Sequence, residues 1–512
     1  MIAILDFGSQ YTRLIARTIR QLEVYSIIVK HDIDYERLID LNPAAIILSG
    51  GPSSVYAANA LKCDKRILEM SLPILGICYG AQLLVQHYGG KVVPGSTGEY
   101  GIADMVYQGE GLFCNISTRK IGYPHASFDV WMSHGDKIID AGEFRSIGST
   151  ADCKYAAIRH TSRCIYGLQF HPEVKHTYGG KAILRQFVIM SQDLPIWTMD
   201  NYLEEAILNI RGLAQGGKVI CGMSGGVDSS VVSALLCRAI GSNAICVFVN
   251  NGLLREGEEE QVVADFQNYS KGHLEYVDAS TIFLNALKGV VDPQEKRLII
   301  GKIFVDVFQE VANSWDDIVY LAQGTLYPDV IESGGDPDGP ATIIKHHHNV
   351  GGLPETLKLK LIEPLRDLFK DEVRALGCEL GLPASVINRA PFPGPGLGVR
   401  VVGEITPERL AILRKADSIL QFESKKIQQD SAQRFAILLP VNTVGVMGDN
   451  RTYESAIVIR SVETDDYMTA EPSNLSHAFL TLVSTRIVNE VKGVNRVLYD
   501  CTSKPPSTIE WE

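Results

Sequence analysis

Short apolar runs alternate with longer stretches of helical pattern along most of the chain. Runs at 1–5, 44–48 and 72–77 predict buried strands, and runs at 218–223 and 244–249 predict two more. Strands that alternate with helices form mostly parallel, doubly wound sheets. Ligands of such sheets bind beyond the carboxyl ends of the strands. The pattern therefore predicts an α/β fold with two such sheets.

The last part of the chain has an α+β pattern instead. Two stretches predict boundaries: a polar and aromatic linker at 192–201 and a stiff Pro- and Gly-rich loop at 390–398. The sequence thus predicts two doubly wound domains followed by a smaller α+β domain. The predicted domains are 1–191, 202–390 and 391–512, and the elements predicted in the last are helices at 407–420 and 474–491 and strands at 434–441, 456–462 and 495–500.

Composition narrows the function classes. The 512 residues carry a formal net charge of −12, which argues against binding to nucleic acid or to an anionic membrane. No apolar run approaches the ~18 residues of a spanning helix, and the start lacks the basic and apolar segments of a signal peptide. The ten cysteines form no Cys-x-x-Cys pair. We therefore expect a cytoplasmic protein with reduced thiols.

A Gly- and Ser-rich loop lies between the predicted strand at 218–223 and a predicted helix at 231–240. Backbone N–H groups at a helix N-terminus bind anions, and the glycines allow phosphate oxygens to approach closely. No Gly-Lys-Ser/Thr follows, so this is not a Walker A loop. An ordinary glycine-rich turn is the alternative. The predicted phosphate-binding residues are Ser224, Gly225, Gly226, Val227, Asp228, Ser229 and Ser230.

Cys78 follows the strand predicted at 72–77 and begins a predicted helix at 79–87. Most cysteines in cytoplasmic proteins pack in the core and have no chemical role. Small residues around Cys78, however, are typical of a nucleophile elbow that exposes the sulfur beside helix N–H groups. A strand ending in His171-x-Glu173 offers a base and a carboxylate to orient it. A neighbouring strand ends in Ser-Gly-Gly-Pro at 49–52, where N–H groups could hold an oxyanion.

These motifs, with Trp131-Met-Ser-His-Gly-Asp136, resemble the class I glutamine amidotransferases over about 190 residues. The resemblance implies Cys78 as nucleophile, His171 as base and Glu173 as its orienting group. It also implies an oxyanion hole formed by the N–H groups of Gly51 and Tyr79. The chain departs from that family at Gly98, where the family has arginine.

Three adjacent histidines follow Lys345. Neighbouring residues rarely converge on one metal ion, so a basic loop over a nucleotide is the better interpretation. The motif Ile-Lys-His-His-His-Asn at 344–349 resembles the lid of the GMP synthetase family, with His346 replacing a hydroxyl residue. Asn250 replaces an acidic residue of that family. The resemblance implies adenylation and lid roles for Arg297, Asp329, Glu332, Lys345, His347, His348, Lys370 and Asp371.

The C-terminal part resembles the dimerisation domain of the same family, which also completes its site for xanthosine monophosphate (XMP). Asp449, Lys504 and Glu510 match nucleotide-binding positions. The whole chain therefore resembles glutamine-hydrolysing GMP synthetases. That resemblance implies a homodimer with ATP, XMP and glutamine as substrates, Mg²⁺ with ATP (Asp228 being a candidate ligand) and no organic cofactor.

Two rival interpretations remain. One is another pyrophosphate-loop enzyme, such as a tRNA-thiolating or NAD-forming ligase. A tRNA-thiolating enzyme predicts a basic surface, and an NAD-forming ligase predicts a different amide-hydrolysing domain. The other rival is a nucleotide- or glutamine-sensing scaffold, which predicts the loss of a catalytic residue, although Cys78, His171 and Glu173 are all present.

Overall fold

A computed structural model of the chain describes residues 1–114, 116, 127–191, 194–270, 272–315, 317–332, 359–427, 433–464 and 469–512. The chain forms two compact units, Met1–Thr198 and Met199–Glu512. Within the described ranges, no helix is both long and apolar enough to cross a membrane.

The first unit is built on a nine-stranded sheet. Its strands, in the order β2-β1-β3-β4-β9-β8-β7-β5-β6, begin with five parallel strands and continue in antiparallel pairs. The strands are β1 (Ile2–Asp6), β2 (Ser26–Lys30), β3 (Ala45–Leu48), β4 (Ile74–Ile77), β5 (Lys91–Tyr107), β6 (Ser127–Asp140), β7 (Phe144–Ser149), β8 (Ala157–His160) and β9 (Ile165–Leu168). The helices are α1 (Thr12–Arg20), α2 (Tyr35–Asp40), α3 (Lys65–Leu68), α4 (Tyr79–His87) and α5 (Gly180–Met190).

The second unit contains two sheets. One has five parallel strands in the order β12-β11-β10-β13-β14. In the other, β16 pairs with β15 and β17 in antiparallel fashion and with β18 in parallel. The strands are β10 (Lys218–Met223), β11 (Ala244–Asn250), β12 (His273–Asp278), β13 (Ile318–Ala322), β14 (Lys360–Ile362), β15 (Gln433–Met447), β16 (Asn450–Glu463), β17 (Glu471–Pro472) and β18 (Val494–Asp500). The helices are α6 (Met199–Ala214), α7 (Val227–Ile240), α8 (Glu258–Tyr269), α9 (Ser280–Ala286), α10 (Pro293–Asn313), α11 (Tyr327–Glu332), α12 (Lys370–Glu379), α13 (Ala384–Ile387), α14 (Pro407–Ser424) and α15 (His477–Glu490).

The fold class predicted from the sequence is confirmed. The central strands β1, β3 and β4 are apolar except for Asp6 at the end of β1, because a parallel sheet is covered on both faces. Most of their side chains are fully buried. The antiparallel strands β5 to β8 extend this sheet beyond what the apolar runs predicted.

The two sheets of the second unit share one hydrophobic core. Ile220 of β10 and Val247 of β11 belong to the same buried cluster as Leu413 of α14 and Ile457 of β16. The Pro- and Gly-rich segment predicted as a loop joins this core at Leu397, which is fully buried. The division into domains at residue 390 stays a prediction.

The linker predicted at 192–201 is folded where the structure describes it. Ile196 forms an antiparallel bridge with Val24. The N–H of Trp197 donates to the carbonyl of Glu23 at 2.7 Å, and α6 begins at Met199. Trp197 also packs its ring against Tyr25. The boundary between the two units follows Thr198, within the predicted stretch, and the linker stays a prediction.

Candidate active sites

Cys78 joins β4 to α4 in a strained backbone conformation. Its φ is 49° and its ψ is −104°, a combination that non-glycine residues rarely adopt. The turn is tight because a Cβ on Gly76 would lie 2.6 Å from backbone atoms of Gly80 and Ala81. Such strain is typical of a nucleophile elbow. Cys78 is only 6% exposed, so the expectation of an exposed sulfur is wrong.

His171 and Glu173 follow β9 and form a buried pair. His171 Nδ1 lies 2.7 Å from Glu173 Oε1, and both side chains are at least 96% buried. Burial lowers the pKa of His171, but the Glu173 charge and hydrogen bonds with Cys78 and Glu173 outweigh it and raise that pKa to about 10. The imidazole therefore keeps its proton at neutral pH beside the Cys78 sulfur.

Two backbone N–H groups near Cys78 remain available to a ligand. The N–H groups of Cys78 and Gly80 donate to the carbonyls of Leu168 and Ser49, at 2.7 and 3.1 Å. Within the described part of the chain, the N–H groups of Gly51 and Tyr79 have no acceptor. Position 51 must be glycine, because a Cβ there would lie 2.6 Å from the Phe7 carbonyl.

Hydrogen bonds that the sequence did not predict hold this site together. Thr177 Oγ1 donates to the carbonyl of His171 at 2.6 Å and accepts the N–H of Trp131 at 3.0 Å. Gln169 Nε2 lies 3.7 Å from Cys78 Sγ and its Oε1 accepts from Gln82. Gln82 lies in α4, four residues after Cys78 at the predicted nucleophile elbow. The sequence pattern assigned no role to Gln169 or Thr177.

In the second unit, the Gly- and Ser-rich loop joins β10 to α7. The helix begins at Val227, earlier than predicted, so only Ser224, Gly225 and Gly226 of the predicted loop lie outside it. Gly225 has φ +75°, and a Cβ there would meet Val262 at 2.5 Å. The hydroxyls of Ser224 and Ser229 lie 3.1 Å apart, and the Ser229 hydroxyl donates to the Gly226 carbonyl at 3.1 Å. These hydroxyls hold the loop in shape in addition to any contact with phosphate.

Charged side chains surround this loop. Lys370 Nζ lies 2.6 Å from both carboxylate oxygens of Asp228. Arg389 donates to the Gly225 carbonyl at 2.8 Å and pairs with the buried Glu258. The sequence had identified Asp228 and Lys370, but it gave no signal for Arg389 and Glu258, which are distant along the chain.

The remaining predicted adenylation residues lie in different places. Arg297 of α10 donates to the backbone carbonyl of Glu512. Asp329 Oδ2 accepts the N–H of Leu326 at 3.0 Å at the start of α11, and Asp371 lies in the first turn of α12. The side chain of Glu332 and the residues Lys345, His346, His347 and His348 lie outside what the structure describes.

Asn250, one of the departures from the family pattern, has its own hydrogen bonds. Its Oδ1 accepts the N–H of Gly252 at 2.9 Å, and its Nδ2 donates to Glu259 and to the Tyr276 hydroxyl. The neutral amide can donate and accept at once, which a carboxylate cannot do.

The residues predicted to bind XMP are on two segments, the turn between β15 and β16 and the C-terminal tail after β18. Asp449 is exposed at the turn between β15 and β16. Lys504 forms a backbone bridge with Ala470. Glu510 Oε1 pairs with the buried Arg400 at 2.7 Å.

Three family models match separate parts of the chain. Residues 3–191 match the class-I glutamine amidotransferase family, residues 217–282 the tRNA methyl transferase HUP domain, and residues 421–511 the GMP synthase C terminal domain. A glutamine-hydrolysing GMP synthase from Nitrosomonas eutropha is 49% identical, over all of this chain and 99% of its own. The chain belongs to the glutamine-hydrolysing GMP synthase family.

Two further relatives have the same name and coverage. The protein from Caldanaerobacter subterraneus is 50% identical and that from a Nitratiruptor species 51%, each over all of this chain and 99% of its own. Family membership extends over both compact units. It therefore covers the Cys78 site and the phosphate-type loop alike.

Proposed function

We propose that this chain makes GMP from XMP, ATP and glutamine. One site hydrolyses glutamine to glutamate and ammonia. The other uses ATP to adenylate XMP with release of pyrophosphate, and ammonia then displaces AMP. The strained Cys78 beside the buried His171–Glu173 pair, in a chain that also carries the loop at 224–230, is the observation that carries this proposal.

In the first site, Cys78 gives its thiol proton to His171, and its sulfur attacks the amide carbon of glutamine. A thioester forms as the C–N bond breaks and ammonia leaves. The N–H groups of Gly51 and Tyr79 stabilise the oxyanion, since donors fixed in place stabilise charge that develops in the transition state. His171, which holds a proton in this environment, delivers it to the departing ammonia and then takes a proton from the attacking water. Glu173 keeps the ring oriented and stabilises its charged form.

In the second site, the loop at 224–230 binds the phosphates of ATP, and Lys370 neutralises their charge. One carboxylate with substrate phosphates is a usual environment for Mg²⁺, so Asp228 fits as a ligand once Lys370 turns to the nucleotide. When bound, Mg²⁺ supplies positive charge for the leaving pyrophosphate. Asp329, Glu332, Lys345, His347, His348 and Asp371 are proposed to act around the adenylate.

The C-terminal part of the chain is proposed to complete the XMP site through Asp449, at the turn between β15 and β16, and through Lys504 and Glu510 of the tail. The tail reaches α10, because Lys296 and Arg297 both contact Glu512. We therefore propose that Arg297 holds the tail in place through Glu512, instead of acting on the adenylate itself.

A homodimer through the C-terminal sheet forms part of the proposal. Val446 and Tyr453 on β15 and β16 are 76% and 61% exposed. Large apolar side chains that are exposed in a single chain are typical of a face that a partner protein covers. Replacing either by lysine should produce monomers in sedimentation velocity. Lysine in place of Leu208, an exposed residue of α6, is the control and should leave the dimer intact.

A cytoplasmic location is proposed as well.

The reaction is tested by AMP release from ATP with glutamine or ammonia and a set of acceptors. XMP should support release, whereas other nucleotides, nicotinate adenine dinucleotide and tRNA should not. Release with tRNA or with the dinucleotide in place of XMP would favour another pyrophosphate-loop ligase.

A further inference from the structure

Three potential metal ligands meet in the first unit, and none of them has been assigned a catalytic role. They are Glu99 of β5, His134 of β6 and Cys153 in the turn after β7. One ligand atom of each lies within 4.8 Å of the other two. His134 and Cys153 are 4% and 3% exposed, and the Glu99 side chain is 11% exposed. The three ligand atoms, one nitrogen, one sulfur and one oxygen, therefore form a compact group that is almost inaccessible to solvent.

The surrounding hydrogen bonds leave the inward atoms unoccupied. His134 Nδ1 lies 2.9 Å from the Asp136 carbonyl, which can only accept, so Nδ1 carries the proton. In the neutral ring with its proton on Nδ1, Nε2 presents a lone pair. Glu99 Oε1 accepts the Thr150 hydroxyl at 2.8 Å. Such outer contacts orient ligands in known metal sites.

Two acceptors therefore face each other. His134 Nε2 and Glu99 Oε2 are 3.4 Å apart, and both are buried atoms without a hydrogen-bond partner among the described residues. Buried polar atoms without partners are rare and need an explanation. A cation between them satisfies both atoms, and the cation is either a proton or a metal ion.

Cys153 distinguishes the metal ion from the proton. Its buried sulfur lies within 4.8 Å of the ligand atoms of His134 and Glu99, and a metal ion displaces the proton of a thiol that it coordinates. A proton shared by His134 and Glu99 would leave the sulfur no role. Sulfur, imidazole nitrogen and carboxylate oxygen together are typical ligands of zinc.

We propose that Glu99, His134 and Cys153 bind one Zn²⁺, with water as the fourth ligand. Binding breaks the S–H bond, forms the Zn–S bond and releases the thiol proton to solvent. The ion ties β5, β6 and the turn after β7 together. Its neighbour Ser133 places a carbonyl 3.7 Å from Cys78 Sγ, so the ion also steadies one wall of the glutamine site.

The test uses the full chain carrying Cys78→Ser, so that the reactive thiol cannot contribute a metal site of its own. Zn²⁺ is titrated against a chromophoric chelator, and Co²⁺ is titrated separately to observe the thiolate-to-cobalt charge-transfer band. We expect one tightly bound ion and one such band. Adding Cys153→Ser should abolish the band and weaken Zn²⁺ binding at least ~100-fold.

The matched control is Cys164→Ser, which changes an exposed cysteine of the same unit and should leave both readouts unchanged. Glu99→Gln should weaken binding while keeping the band, and it provides a second variant if Cys153→Ser does not fold. Equal Zn²⁺ affinity and an equal band with and without Cys153→Ser would overturn the proposal, as would the absence of any tight ion in the Cys78→Ser protein.

Discussion

Cys78 has a φ of 49°, so its backbone is held in a conformation that costs about 1–3 kcal/mol. The sequence placed Cys78 correctly between a strand and a helix, because an apolar run and small residues flank it. It could not reveal the burial of the sulfur. That burial depends on Gln169 and Ser133, which are distant along the chain and contact Cys78 Sγ only in the fold.

Replacing Cys78 by alanine should separate the two activities. Glutamine-dependent GMP synthesis should fall at least ~1,000-fold, because the covalent nucleophile is lost. Synthesis from an ammonium salt should continue and rise with pH, since only neutral ammonia is nucleophilic. Initial rates with each nitrogen source measure this. Cys164→Ala is the control, and equal loss of both activities in folded Cys78→Ala would contradict separate sites.

His171 should make stability depend on pH in one direction. Burial opposes its charged form, but Glu173 and Cys78 outweigh this and raise its pKa in the folded state to about 10, above the unfolded value of about 6.5. Its contribution to stability is therefore complete below pH 6.5 and is lost as the pH rises through 10. The unfolding free energies of wild type and His171→Gln should converge over that range.

Denaturant titrations at several pH values measure this convergence. Burial lowers the pKa of His87, so the difference caused by His87→Gln should stay constant above pH 6.5. A difference for His171→Gln that grows between pH 6.5 and 10 would show that the charged imidazole is not the stabilised form.

At the scale of elements, the sequence was most reliable where a buried run meets a helix. Helix α4 has the predicted bounds, 79–87. The strand predicted at 434–441 was too short, since β15 continues to Met447. The prediction ended early because exposed apolar residues such as Val446 interrupt the alternation of apolar and polar residues that marks a strand. Pairings between distant segments, such as β5 with β7, have no local signal at all.

The loop between β10 and α7 should depend on Asp228. Its carboxylate holds Lys370 and is the candidate Mg²⁺ ligand, so Asp228→Ala should reduce pyrophosphate release at least ~100-fold while leaving glutamine hydrolysis largely intact. A pyrophosphate assay and a glutamate assay measure the two steps. Glu260→Ala, on the exposed surface of α8, is the control. Pyrophosphate release at the wild-type rate in Asp228→Ala would remove Asp228 from the mechanism.

At the scale of the molecule, the C-terminal tail stabilises the second unit. Lys296 is fully buried and pairs with Glu512, while the fully buried Arg400 pairs with Glu510. Deleting residues 504–512 would leave both cations without these partners. Removing one partner of a buried ion pair costs about 3–5 kcal/mol, so the tail contributes to stability as well as to the proposed XMP site.

The deletion should therefore abolish XMP-dependent AMP release and lower the unfolding temperature of the second unit, leaving glutamine hydrolysis by the first unit intact. Calorimetry and the two activity assays measure these effects. Glu510→Gln and Glu512→Gln, which keep the chain length, should show smaller losses of stability. Unchanged XMP affinity in the truncated protein would show that the tail takes no part in the nucleotide site.

The core shared by the two sheets of the second unit has a consequence for biosynthesis. Residues 1–198 can fold as soon as they leave the ribosome, because their sheet is complete by β9. The five-stranded sheet cannot bury Ile220 and Val247 fully until α14 and β16 have been made. Nascent chains therefore expose apolar surface during the synthesis of about 200 residues. A premature stop codon late in the message would thus cost the cell the packed five-stranded sheet as well as the missing C-terminus.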